Sequence, residues 1–446
     1  MTLNTNRRTF LATLAASGAT FASANIIHAS EATPEPHDHD DHDHEDHDHE
    51  AGTDAWLLVG DSEAKTVTIY NALDHSVIEV MEGVVVNSHA GTIPLADGSL
   101  LLVDDEGQRL LHIEVHGDHL HVHEASVPGT VAHIAVESDH AHYCAVGTSS
   151  EDEHQLHLVD LETWEVTSLV LPDAAEIGLM LTHDHFFHRN SNLNRLEAYD
   201  LAELKAGNVE MLSYVDIGTF GHGEAINPET GELFMLTDDG VDIAYWEEPE
   251  LSFGKNFAWP DAEPASRGYF CRLINDGSHL LTYTSDRSAP EGEWNTWKNR
   301  VVIYDIASGE AQITELPDGY TFRYSLADSM AVFTIIGAEK DHLISIDIDP
   351  ESEAFGTAIA TTDLPAMTGG AQPGDAFYEL GAYRASAILP NAGMAFVTRG
   401  GDSIIEIIDP ATGEIMESLE HTSALTGGGT LAVFGGAVPF TDTIGR

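Results

Sequence analysis

The sequence predicts an all-β fold, a β-propeller of eight blades with seven as the alternative count, and three observations lead there. Residues 54–446 fall into short β-rich runs separated by turn signals such as Asp97-Gly98, Asn275-Asp276-Gly277 and Thr412-Gly413-Glu414, with no sustained helical period. These runs recur as a unit of roughly 40 to 60 residues, the length of a propeller blade. The two ends of the repeat are also complementary. AWLLVG from Ala55 behaves as the second strand of a blade and TLAVFGG from Thr430 as a first strand, so the C-terminal strand completes the blade begun at the N-terminus. Such closure removes the free edges of an open array. A pair of β-sandwiches is the alternative architecture.

The unit reads as an apolar strand, a polar turn, a second strand, a loop, a third strand often ending in Asp, and a fourth strand. The third strands are the plainest: TVTIYN from Thr66, LLHIEV from Leu110, QLHLVDL from Gln155, RLEAYDL from Arg195, VDIAYW from Val241, RVVIYDI from Arg300, HLISIDI from His342 and SIIEIID from Ser403.

Two segments precede the repeat. Residues 1–29 read as a twin-arginine export signal, with Arg7-Arg8 followed by Thr-Phe-Leu and a short small-residue apolar run, and cleavage after Ala24 or Ala29. That run is too short and too rich in Ala, Ser and Gly for a membrane anchor, so the mature protein is expected to lack a membrane span and to reside in the periplasm. Residues 30–53 contain HDHDDHDHEDHDHE, residues 37–50, in which six histidines and eight carboxylates stand with nothing between them. A segment with no apolar side chain has nothing to bury and is expected to be disordered. Its residues are metal ligands: His37, His39, His42, His44, His47 and His49 offer overlapping imidazole sets that carboxylates complete, a donor set suited to zinc and also to copper or nickel. Coordination needs the neutral ring, so this binding weakens as the histidines protonate.

Charge excludes one class of partner. With 75 acidic and 18 basic residues the formal charge is −57, which repels nucleic acid and anionic membranes and favours cations. The two cysteines, Cys144 and Cys271, sit in separate apolar runs and are expected to be buried thiols.

First strands of a propeller line its central channel, so matching positions in successive blades converge. Three such positions hold histidine: His89 in NSHAGTIPLADG, His133 in VAHIAVESDH and His222 in FGHGEAINPETG, with Glu176 near the same place in the blade between the last two. Three imidazoles and a carboxylate are a sufficient set for zinc. Arg267, Arg323 and Arg384 fall near the matching positions of later blades and are expected to make the opposite side of the opening cationic. His116, His119, His121 and His123 lie around an outer hairpin, where exposure is the expected role; His183, His185 and His188, and His140 and His142, read as surface histidines around turns.

An export signal, a His-Asp/His-Glu tract near the mature N-terminus and a histidine-bearing propeller together resemble the AztD-type periplasmic zinc chaperones. The resemblance covers the whole chain and implies zinc as the bound metal, one binding region in the tract and one on the propeller, and the solute-binding protein of a zinc ABC transporter as the partner that receives the ion. Tethering many weak sites to a second one raises local metal concentration there. The sequence shows no motif for a nucleophile or an organic cofactor, so no catalytic residue is assigned; a metal-dependent hydrolase or lactonase on the same fold is the alternative.

Overall fold

A computed structural model describes residues 55–445 apart from 88, 138–141, 150–152, 173–176, 220–222, 228, 261–265, 276, 287, 322, 376–383, 427–428 and 436–443. The export signal, the tract and His222 therefore lie outside the described residues, as do Glu176 and His140.

The described strands form eight antiparallel sheets arranged as a propeller, seven of four strands and one of five. Each of the eight third strands expected from sequence is the third strand of a blade. The ring closes as expected: Trp56–Asp61 pairs antiparallel with Gly429–Phe434, Leu58 opposite Ala432. One strand was not foreseen. Ile444–Gly445 adds to the inner edge of blade 3, with Ile444 opposite Ala135 and Gly445 opposite Ile134.

Blade position explains the hydrophobic runs. A third strand such as Thr66–Asn71 is covered on both faces and is buried along its middle, whereas an outer strand such as Glu414–Glu420 alternates with solvent. The apolar cores lie between neighbouring blades: Leu58, Ile69, Leu102 and Leu111 join blades 1 and 2, and Leu101, Val103, Ile134 and Val146 join blades 2 and 3. Cys144 and Cys271 are buried in different blades, as expected.

The polar residue that ends many third strands has a definite task. Asp160 Oδ1 accepts from the backbone N–H groups of Glu162 and Thr163, Asp409 Oδ1 from those of Ala411 and Thr412, and Asn71 Oδ1 from those of Leu73 and Asp74. Each side chain thereby builds the turn that sends the chain into the outer strand.

Candidate metal centre

Blade 2 is built from Thr92–Pro94, Leu100–Asp104, Arg109–His116 and His119–Ser126. Its last two strands form a hairpin in which His112 pairs with His123, Glu114 with His121 and His116 with His119. Alternation along a strand puts all six of these side chains on one face. Glu114, His121 and His123 offer ligand atoms that all lie within 4.8 Å of one another, and among the described residues they are the one group of three or more potential ligands this close. His121 Nδ1 and His116 Nε2 each stand 3.2 Å from Glu114 Oε2. Burial pushes the Glu114 carboxyl up, but these histidines outweigh it and hold the group below its ordinary range, ionised and ready to bind a cation. The expectation of exposure holds for His116, His119 and His121. It is corrected at His123, which is partly covered, and it omitted the carboxylate across the hairpin.

The cover over His123 comes from blade 3. Trp164 stacks on the His123 ring at 5.0 Å with 2° between the planes, and lies 5.3 Å from His112. It occupies the fifth position of the turn Asp160-Leu-Glu-Thr-Trp164, with φ at 61°. Blades 6 and 8 place Gly309 and Gly413 at the corresponding position with φ of 74° and 75°. A bulky residue in this left-handed region costs about 1–2 kcal/mol. The same place faces the preceding blade elsewhere, since a Cβ on Gly309 would meet Phe257 and one on Gly413 would meet Thr362. In blade 3 that position covers the histidine face of blade 2.

At the channel, His89 and His133 are brought together from blades 2 and 3, with ring centroids 5.0 Å apart. Two imidazoles that share a tetrahedral zinc at 2.0–2.1 Å have centroids about 5 Å apart, so the pair has the right spacing. His133 is buried on its inner strand. His89 sits in a turn whose backbone is fixed by Asn87 Oδ1, which accepts from the N–H groups of His89 and Ala90. Arg323 Nη2 donates to the His89 carbonyl at 3.2 Å, which places this arginine beside the pair and not across the opening from it, where the sequence predicts it. Burial, and then the neighbouring Arg272, push the Arg323 guanidinium down to about 10. Arg272 was not foreseen. Arg384 departs from expectation: it is buried, with Nε donating to Asp341 Oδ2 at 2.8 Å and Nη1 to the Thr398 carbonyl, so its charge is spent inside the fold.

The other histidines divide. His183 is exposed, as expected, with Nδ1 3.5 Å from buried Glu137. His185 and His188 are buried instead, because they lie on the second strand of blade 4, His185–Asn190, and not in its turn. His185 packs 4.7 Å from Trp246. His188 Nδ1 lies 3.0 Å from Glu197 Oε2, and Tyr199 donates to the same oxygen at 2.7 Å.

An eight-bladed propeller with histidine and carboxylate groups spaced for a metal ion is the class of protein these features define. No protein-family model and no curated protein matches the chain. Solved structures do. Apo AztD from Citrobacter koseri superposes with a TM-score of 0.60 at 11% identity, covering 86% of this chain and 99% of that one. A second structure of Citrobacter koseri AztD gives 0.59 at 11%, covering 85% and 97%. The dihydro-heme d1 dehydrogenase NirN, solved in complex with DHE, gives 0.59 at 14%, covering 86% and 75%. The chain is thus similar in fold to AztD over nearly its whole length, and at these identities the likeness is one of fold. Among the described residues no helix is long and apolar enough to cross a membrane.

Proposed function

We propose that this chain is a periplasmic zinc-binding chaperone that captures zinc and passes it to the solute-binding protein of a zinc ABC transporter. The observation that carries the reading is the blade 2 cluster, in which a carboxylate and two imidazoles stand within 4.8 Å. Nitrogen and oxygen donors in this combination suit zinc. The fold likeness to AztD and the spacing of His89 and His133 support it, as does the run of histidines from His37 to His49 in the sequence. His123 and His121 lie on a hairpin and His133 on an inner strand, so ions at the two positions would be held by different elements of the chain.

The test uses the full chain, zinc-loaded and then mixed with the zinc-free solute-binding protein. Zinc should move to the acceptor faster in the presence of both proteins than a competing chelator removes it from the donor alone. Deleting residues 37–50 should lower the zinc bound per chain yet leave at least one tight site and the same thermal unfolding. His123→Ala should then reduce what remains, and His133→Ala should do so separately. If transfer is no faster than release to chelator, the protein stores zinc and does not deliver it.

A further inference from the structure

His112 stands beside the blade 2 cluster without belonging to its close triad, and its surroundings fix which of its nitrogens is available. The side chain is buried, with only 7% of the residue exposed. Its Nε2 lies 2.6 Å from Ser99 Oγ. Ser99 has one hydroxyl proton, and that proton goes to Asp97 Oδ1 at 2.5 Å, because a carboxylate only accepts. Ser99 Oγ must therefore accept from His112, so His112 carries its proton on Nε2. Nδ1 is left as a bare lone pair. Among the described residues this nitrogen has no hydrogen-bond partner, and it points to Glu114 Oε1 at 3.6 Å. Two lone pairs face each other across a gap that a cation would fill.

Taking the blade 2 cluster as a metal site, we propose that His112 Nδ1 is its fourth ligand, so that His112, Glu114, His121 and His123 enclose a zinc ion in a four-coordinate site. Ligand atoms around a tetrahedral zinc at 2.0–2.1 Å are about 3.3 Å apart. Glu114 stands 3.6 Å from His112 Nδ1 through Oε1 and 3.2 Å from His121 Nδ1 through Oε2, so the carboxylate must turn to present one oxygen to both. The centroids of His112 and His123 are 6.1 Å apart and must approach by about 1 Å to share the ion. Trp164 lies against both rings and registers that approach. The chain Asp97–Ser99–His112 is the kind of oxygen partnership that orients metal-binding imidazoles, here reaching the ligand from the turn that precedes the second strand of its own blade.

This inference rests on the cluster being a metal site, and the experiment separates the two. In the full chain, zinc is titrated against a competing chelator while tryptophan emission is followed, and the part of the emission change that Trp164→Phe removes reports the blade 2 site. His112→Ala should weaken that site about 100-fold or more, beyond the roughly 10- to 100-fold that loss of an orienting partner costs. Adding His123→Ala should weaken it little further, because one shared site is already spoiled. Ser99→Ala keeps the ring and frees its tautomer, and should cost roughly 10-fold. This variant keeps the question open to test if His112→Ala fails to fold. Cobalt(II) in place of zinc should give the intense visible bands of a tetrahedral ion, and the part of them that His123→Ala removes should be lost in His112→Ala as well. If His123→Ala abolishes the site while His112→Ala and Ser99→Ala leave its affinity unchanged, His112 is not a ligand and the metal site stands. Loss in His116→Ala, with His112→Ala unaffected, would assign the fourth position to His116 and overturn the proposal. If neither Glu114→Ala nor His123→Ala matters, there is no metal site in blade 2 at all.

Discussion

Glu197 shows what one buried ionisable residue contributes inside a blade. Burial pushes its carboxyl up, but His188, Tyr199 and Arg195 more than compensate and bring it from 4.5 to about 2. A carboxyl with a folded value below its unfolded one stabilises the fold above about 4.5, and that contribution is lost as the pH falls from there toward 2. Chemical unfolding followed across that window should show the wild type losing stability more steeply than Glu197→Gln, which has no charge to lose. Equal slopes would refute the assignment. Sequence gave no sign of this network, because a histidine in HFFHRN and a glutamate in RLEAYD become partners only when two strands are in register. The same limit hid His112, which reads as one of two polar letters in the run LLHIEV. The approach of His89 and His133 was legible, since blade repetition predicts convergence without any knowledge of side-chain contacts, while the third of that set, His222, lies outside the described residues.

At the scale of the element, the blade 2 hairpin turns a sequence period into a chemical surface. His112, Glu114 and His116 alternate on one strand and His119, His121 and His123 on the next, and antiparallel register places the two series opposite each other. The outer half of this pattern, His119, His121 and His123, was visible in the letters. Its meaning depended on including Glu114 and on the turn that follows in blade 3, where DLETWE departs from the DIASGE and DPATGE of its sister blades by setting Trp164 where they have glycine. The face, more than the residue count, should therefore determine metal binding. Exchanging His121 and Val122 keeps the composition but moves the imidazole to the other side of the strand. The exchanged chain should fold, since the outer strand is partly exposed, and should bind zinc in blade 2 at least about 10-fold more weakly than the wild type. Equal affinity from the exchanged chain would mean that the hairpin register is not what positions the ion.

The molecule as a whole depends on the joint between its first and last blade strands. Asp61 ends the strand that pairs with Gly429–Phe434, and its Oδ2 accepts from Ser423 Oγ at 2.6 Å and from the Leu425 N–H at 2.7 Å. The same carboxylate holds the Glu63 and Ala64 N–H groups through Oδ1. One side chain thus ties the start of the ring to the loop that leads into its last strand. Hydrogen bonds to a buried charge are worth more than neutral ones, so Asp61→Ala should lower unfolding free energy by about 2–4 kcal/mol, measured by denaturant titration. A change below the scatter of surface substitutions would show that strand pairing alone holds the joint. The closure and the eight third strands were legible in the sequence because they follow from repetition and hydrophobic pattern. Ile444–Gly445 was not, since a two-residue addition to an inner edge has no pattern of its own.

That joint also imposes an order in time. Blade 1 takes its inner strand from Gly429–Phe434, which leaves the ribosome after all four regular strands of each of the other seven blades. Until then Trp56–Asp61 has an open edge, and Leu57, Leu58 and Val59 lack the neighbours that cover them in the finished ring. A nascent chain halted at any earlier codon cannot hide that edge, however well its later blades have formed. Ring closure is therefore a check carried out by geometry, which distinguishes a chain translated through Phe434 from one halted before Gly429.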